Sequence, residues 1–155
     1  MKKNVLRSLS AMFMIAALTV AIGCSDEDKK EEAPTLYTRL GGVDAISAVV
    51  DDFLAEVVDD EVINEKFAAT VANEYRTALL RANLIDQICA GAGGPCVYKG
   101  KSMKEAHEGM GISEAEFTAL VGDLIAALDA NSVPTTEKNE LLGILGPMKS
   151  DIVED

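Results

Sequence analysis

The 155-residue sequence predicts an all-α fold, on three observations. Four long segments repeat apolar side chains at three- and four-residue intervals, the spacing of one buried helical face. No segment shows the period-two alternation of a half-buried strand. Two of the four segments open on helix-start signals, a Ser113/Glu116 capping box and Pro134.

The first stretch of the chain stands apart from that domain. Residues 1–23 have a basic start (Lys2, Lys3, Arg7), an apolar run from Ala11 to Gly23 and small residues before Cys24, which is the pattern of a secretory signal. The run has 13 residues, against the roughly 20 that cross a hydrocarbon core as a helix. It therefore predicts a signal peptide and not a permanent span. Gly23 before Cys24 resembles a bacterial lipobox, with Ala21 where leucine is usual. The resemblance implies diacylglycerol on the Cys24 thiol and acylation of its amine after cleavage. More than one acyl chain holds a domain stably on a membrane, where a single chain binds only marginally. Ser25 in place of an aspartate implies, by the same resemblance, export to the periplasmic face of an outer membrane. The alternative is an ordinary cleaved signal with a spare cysteine.

Residues 24–35 include "SDEDKKEEAP", all charge and no large apolar side chain, which reads as a solvated tether. Residues 36–155 are then one domain of about 120 residues, enough for a core of its own. Removing residues 1–23 takes three basic and no acidic groups from 14 and 26, leaving 11 against 26 and a formal charge of −15. A surface of that sign repels phosphate backbones and makes nucleic acid an improbable partner.

Within the domain, Val43 to Val58 places Ile46, Val49, Val50, Phe53, Leu54 and Val57 on one helical face, and residues 74–90 do the same with Leu80, Leu84, Ile85 and Ile88. Residues 113–130 follow the capping box with Phe117, Leu120, Val121, Leu124, Ile125 and Leu128. The last helix starts after Pro134, with Thr135 or Thr136 as the expected cap. It runs through Leu141, Leu142, Ile144 and Leu145 towards Ile152, bent or interrupted near Gly146 and Pro147.

Helices leave the stretch between Gly91 and Ser113 unexplained. Its 21 residues hold five glycines, a proline and the chain's single histidine, His107, with room only for a short helix from about Ser102 to Glu108. A compact domain rarely keeps so loose a connection without a function for it. Cys89 and Cys96 flank its start in "QICAGAGGPC". In an oxidising compartment a pair so close around a glycine turn can close a disulfide worth about 2 to 3 kcal/mol. A redox pair or a metal site are the rival readings, and two thiols alone make a poor metal site.

The order "LYTRLGG" (36–42), "VVDDFLAEVVDD" (49–60), "GGPCVYKGKSMKEAH" (93–107) and "GMGI" (109–112), followed by two closing helices, resembles a group I truncated haemoglobin. The similarity spans Leu36 to Val153. It rests on the glycine pairs Gly41/Gly42 and Gly93/Gly94 and on Gly109 and Gly111 just past the histidine. The resemblance implies a truncated two-over-two globin sandwich around a haem, in which two antiparallel helix pairs enclose haem b (iron protoporphyrin IX). His107 sits at the family's proximal position, so the resemblance implies an imidazole ligand to iron with the opposite face open for a gas. Its second ring nitrogen is then expected to donate to a backbone carbonyl or water.

The resemblance also assigns neighbours. Phe53 matches a haem-pocket phenylalanine and Phe67 one that wedges against the haem, while Tyr98 falls near a propionate or is an ordinary loop residue. Met103 and Met110 lie four before and three after His107. On a helix they share its face and pack against the ring. The distal side departs from the family. Leu54 stands where group I members carry a tyrosine, and Leu84, with Leu80 one turn earlier, where they often carry glutamine. An apolar distal pocket is expected, which favours carbon monoxide or nitric oxide over oxygen. Gln87 shares the face of Leu80 and Leu84 and can reach inward. About five residues more than the family pattern separate Phe67 from Leu80, so the distal register rests on the ungapped stretch from Leu79 to Gly94. That register puts Asn83 where a basic residue usually meets a propionate, with Arg81 as a nearby substitute.

Two function classes follow. One is a haem protein binding a diatomic gas on the envelope side of a bacterial membrane, with nitric oxide conversion or peroxidase-like chemistry as its enzymatic form and an electron donor of unknown identity. The other is a non-enzymatic sensor or partner-binding lipoprotein. No second histidine and no acid-base pair at a fixed spacing is present, so binding without turnover is the expectation.

Overall fold

The computed structural model describes residues 33–154, so the expected signal peptide, Cys24 and most of the acidic tether lie outside the described residues. Among those described there is no strand, and eight helices follow in order. They are α1 (Leu36–Arg39), α2 (Gly42–Asp59), α3 (Asn64–Val71), α4 (Glu74–Gly91), α5 (Met103–His107), α6 (Glu114–Ala130), α7 (Thr135–Leu145) and α8 (Lys149–Ile152). A 3-10 turn at Gly146–Met148 separates the last two, at the break expected from Gly146 and Pro147.

The apolar spacing dictates the packing. α2 buries Ile46, Val49, Val50, Phe53 and Val57, and it lies against α3, α4 and α6. α4 contributes Ile85, Ile88 and Cys89, and α6 contributes Leu124, Ala127 and Leu128. Leu141 of α7 and Leu36 of α1 close the same core. Burying each such side chain is worth roughly 1.5 to 3 kcal/mol, which holds helices that propensity alone would leave marginal.

The helix starts match the sequence signals in part. The Ser113/Glu116 box forms as expected: the Glu116 amide donates to Ser113 Oγ at 3.3 Å and the Ser113 amide to Glu116 Oε2 at 2.7 Å. The cap of α7 is Pro134, not Thr135 or Thr136. Proline's fixed φ of −62° with ψ 151° already turns the chain into the helix, so Thr135 is helical and its hydroxyl is past the capping position. Asn73 caps α4, accepting the Arg76 amide at 3.0 Å.

Cys89 and Cys96 form a disulfide, with a Cα–Cα distance of 5.7 Å. It pins the end of α4 to the loop that leads to α5. Between the two cysteines the chain turns at Gly94, where any Cβ would stand 2.5 Å from the Tyr37 ring and 2.8 Å from the Cys89 carbonyl oxygen. The glycine there is what lets α1 dock on the end of α4, a contact completed by the Tyr37 amide donating to the Ala92 carbonyl at 2.8 Å.

Candidate functional site

α5 is five residues long and buries none of them. Such a helix cannot hold itself together, because nucleation costs more than a single turn returns. It is fixed from its ends. At the start, Ser102 and Glu105 form a second capping box: the Glu105 amide donates to Ser102 Oγ at 3.3 Å and the Ser102 amide to Glu105 Oε2 at 3.1 Å. The Ser102 hydroxyl, donating to Glu105 Oε2 at 2.7 Å, and then the Ser102 amide hold the Glu105 carboxyl below its ordinary range. At its other end stands His107, half-buried, with Nδ1 2.7 Å from the Met103 carbonyl oxygen. A carbonyl only accepts, so Nδ1 carries the proton, and in the neutral ring Nε2 is the nitrogen left to bind a metal. This is the tautomer a metal-binding imidazole needs.

The chain leaves α5 through Gly109 (φ 78°) and Gly111 (φ 59°), both left-handed with nothing near a hypothetical Cβ. Their amides both meet Glu154, with Gly109 N donating to Oε1 at 2.6 Å and Gly111 N to Oε2 at 2.5 Å. These two bonds are the main reason the Glu154 carboxyl is held below its ordinary range. Lys66 of α3 donates to the carbonyls of Met110 and Gly111, each at 2.9 Å, and lies 3.4 Å from Glu116.

The expected pocket residues come from three helices. Leu54 of α2, Phe67 of α3 and Leu80 and Leu84 of α4 are all half-buried, while Phe53 is 7 % exposed and belongs to the core proper. α4 is continuous, so Leu80, Leu84 and Gln87 lie along one face despite the extra residues before it. Gln87 Nε2 lies 3.5 Å from the Met103 sulfur and 3.1 Å from that of Met148. Gln87 thus ties α4 to α5 and to the 3-10 turn, with its amide engaged at the closed end of the site.

The remaining expected members make other contacts. Met110 does not share a helical face with His107, because α5 ends at His107 and Met110 falls in the glycine loop, 37 % exposed. Tyr98 donates its hydroxyl to the Lys101 carbonyl at 2.8 Å, and burial raises its phenol above the ordinary value. Arg81 is paired with Asp51, at 2.5 and 2.8 Å. Nothing in the sequence pattern points to Met148, Lys66 or Glu154. The two glycines signal a loop needing left-handed backbone, but not which side chains fill it.

Among the described residues, no cluster of three His, Cys, Asp or Glu side chains is placed to hold a metal ion by itself. What the structure provides is one half-buried imidazole whose Nδ1 meets a carbonyl, in a fold whose α2, α3 and α4 also carry half-buried leucine and phenylalanine side chains. That donor set fits a haem, whose iron already has four nitrogen ligands and whose ring needs apolar faces on both sides.

Comparison with known proteins agrees with this reading. Residues 35–154 match the family model of bacterial-like globins. A group 1 truncated haemoglobin of Mycolicibacterium paratuberculosis is 34% identical over 124 residues, covering 80% of this chain and 88% of that protein. One from Tetrahymena pyriformis is 32% identical over 119 residues, covering 77% and 94%. The crystal structure of the Tetrahymena pyriformis truncated haemoglobin in its Fe(III) form superimposes with a TM-score of 0.71 at 30% identity, covering 79% of this chain and all (100%) of that one. The 2/2 haemoglobin of a Synechococcus species, solved with covalently attached haem, gives 0.70 at 27% identity over 77% of this chain and 98% of that one. The chain therefore belongs to the bacterial-like globin family, and its fold is the truncated two-over-two globin.

Proposed function

We propose that this globin holds haem b through His107 and binds a diatomic gas without turnover of its own. The observation that carries the reading is the His107 contact: Nδ1 lies 2.7 Å from the Met103 carbonyl oxygen, which leaves Nε2 to act as the ligand atom. When bound, haem would supply an iron able to take up a small gas molecule. The chain's own residues do the rest. Met103 O orients the imidazole, Leu54, Phe67, Leu80 and Leu84 keep water from the ring, and Gln87 closes the inner end. The same inventory supports non-covalent attachment, because His107 is the sole histidine, Cys89 and Cys96 are bonded to each other, and Cys24 is assigned to the lipid.

The distal leucines offer no hydrogen-bond donor, and the nearby carboxamide of Gln87 is turned to sulfur. Bound oxygen carries partial negative charge and gains from a donor, whereas carbon monoxide needs none, so the pocket suits carbon monoxide and nitric oxide better. Absorption spectra of the purified ferrous, ferric and carbonyl forms test the reading. It predicts a Soret band in all three and a five-coordinate ferrous form, and a protein that takes up no haem refutes it.

We place the globin on the envelope side of a bacterial membrane, anchored by lipid on Cys24 at the end of the acidic tether. The support is the sequence before Cys24, together with a disulfide that needs an oxidising compartment. Cys24→Ala should move the protein from the membrane fraction to the soluble one. Retention in the membrane fraction would refute the anchor.

A further inference from the structure

We propose that Glu154 and Lys66 are positioning residues for the proximal ligand: together they clamp the loop behind His107 and so set the orientation and strength of its bond to iron. The proposal rests on the reading of His107 as that ligand.

The loop from Gly109 to Ile112 is anchored at nearly every polar backbone atom. Gly109 and Gly111 turn their amides to the same side, a concave arrangement of donors that suits an anion. The Glu154 carboxylate fills it with one oxygen for each amide, at 2.6 and 2.5 Å. The Glu154 amide returns a bond to the Ile112 carbonyl at 2.9 Å. From the other side the Lys66 ammonium takes the carbonyls of Met110 and Gly111. The Met110 amide donates to the His107 carbonyl at 3.0 Å, which carries the clamp to the ligand residue itself. Charge-assisted bonds of this kind are the stronger class of hydrogen bond.

The clamp has work to do because α5 has no buried residue of its own. Its start is fixed by the Ser102/Glu105 box and its side rests on α8, whose Ile152 is buried two residues before Glu154. Ile152 thus roots the strap that brings Glu154 to the loop, while Lys66 couples the loop to α3 next to Phe67. Lys66 therefore ties the loop behind His107 to the helix that bears Phe67, and Glu154 ties it to the end of α8.

The test compares wild type with Glu154→Gln and Lys66→Met. In Glu154→Gln the new carboxamide would keep one acceptor oxygen but turn an NH2 towards the second glycine amide. Asp129→Asn serves as a control that removes an exposed carboxylate paired with Lys138 far from the loop. Three readouts are taken: haem transfer to an acceptor apoglobin, the iron–histidine stretching band of the ferrous protein by resonance Raman, and amide hydrogen exchange of residues 109–112 in the haem-free protein. Loss of an outer partner of a metal-binding histidine typically weakens binding about tenfold to hundredfold. We expect haem loss to accelerate within that range in both variants, the stretching band to shift or broaden, and the Gly109 and Gly111 amides to exchange faster in Glu154→Gln. Asp129→Asn should match wild type in all three. Circular dichroism checks that the variants keep the wild-type helix content. A wild-type iron–histidine band left unmoved by Glu154→Gln, with haem loss unchanged, overturns the clamp alone. A wild type with no such band overturns the clamp and the His107 reading together.

Discussion

Leu54→Tyr should convert this pocket from one that releases oxygen quickly to one that retains it. Leu54 is half-buried on α2, directly after core residue Phe53, so a longer side chain there extends from a fixed base. The proposed wall of Phe67, Leu80 and Leu84 contains no side chain able to donate a hydrogen bond. The Gln87 carboxamide lies 3.1 Å from the Met148 sulfur and 3.5 Å from the Met103 sulfur. A new phenol therefore meets no competing donor. One hydrogen bond to a partly charged ligand is worth about 1 to 3 kcal/mol, and each 1.4 kcal/mol is tenfold, so oxygen dissociation should slow by roughly ten- to hundredfold. Extra volume costs about 1 to 3 kcal/mol of stability, which a melting curve reports separately. Stopped-flow displacement of oxygen by carbon monoxide from the ferrous protein measures the rate. A variant that loses oxygen as fast as wild type, or a wild type already as slow as the tyrosine variant, would refute the apolar-pocket argument.

Replacing Cys89 and Cys96 by serine should cost about 2 to 3 kcal/mol from the entropy of so short a loop, a fall of roughly 10 °C in melting temperature; an unchanged melt would show that the bond constrains nothing. Gly111→Ala should cost about 1 to 2 kcal/mol, since only its left-handed backbone objects. Gly94→Ala should cost more, because the Tyr37 ring and the Cys89 carbonyl block the added carbon, and urea midpoints of the two variants in the reverse order would contradict this. Asp123 carries a buried Oδ2 with no partner among the described residues, and its carboxyl is raised above 3.8 by burial first and then by Asp60 and Glu56. Both folded and unfolded forms are protonated below that value, so the penalty is absent there and grows as pH rises towards the higher folded value. Asp123→Asn should therefore match wild type in stability at acid pH and exceed it increasingly towards neutrality; a constant difference across the range would argue against a titrating cause.

Helices with a buried stripe were legible in the sequence because burial writes a period. Val49, Phe53 and Val57 mark α2 at four-residue steps, and Leu124 and Leu128 mark α6. α3 has no fully buried residue, so nothing in Asn64–Val71 announces a helix beyond its bare composition. α5 carries a start signal, Ser102 and Glu105, but is too short for a period to show. His107, the proposed ligand, stands out in the sequence through its singularity and its glycine neighbours. Its supports do not, because Glu154 and Lys66 lie 45 and 44 residues from the backbone atoms they hold, and only the folded chain brings them there. Gln87 fell between these cases. Helical spacing gave its face, while its contact with Met148 spans 61 residues and decided what the carboxamide does.

The most direct test of the whole account is the absorption spectrum of ferrous His107→Ala, expressed and loaded with haem beside wild type. Without the sole imidazole in the chain, the five-coordinate histidine-ligated spectrum should vanish and return on adding free imidazole to the cavity left behind. An alanine variant whose visible and Soret bands coincide with those of wild type, with haem equally retained, would contradict it.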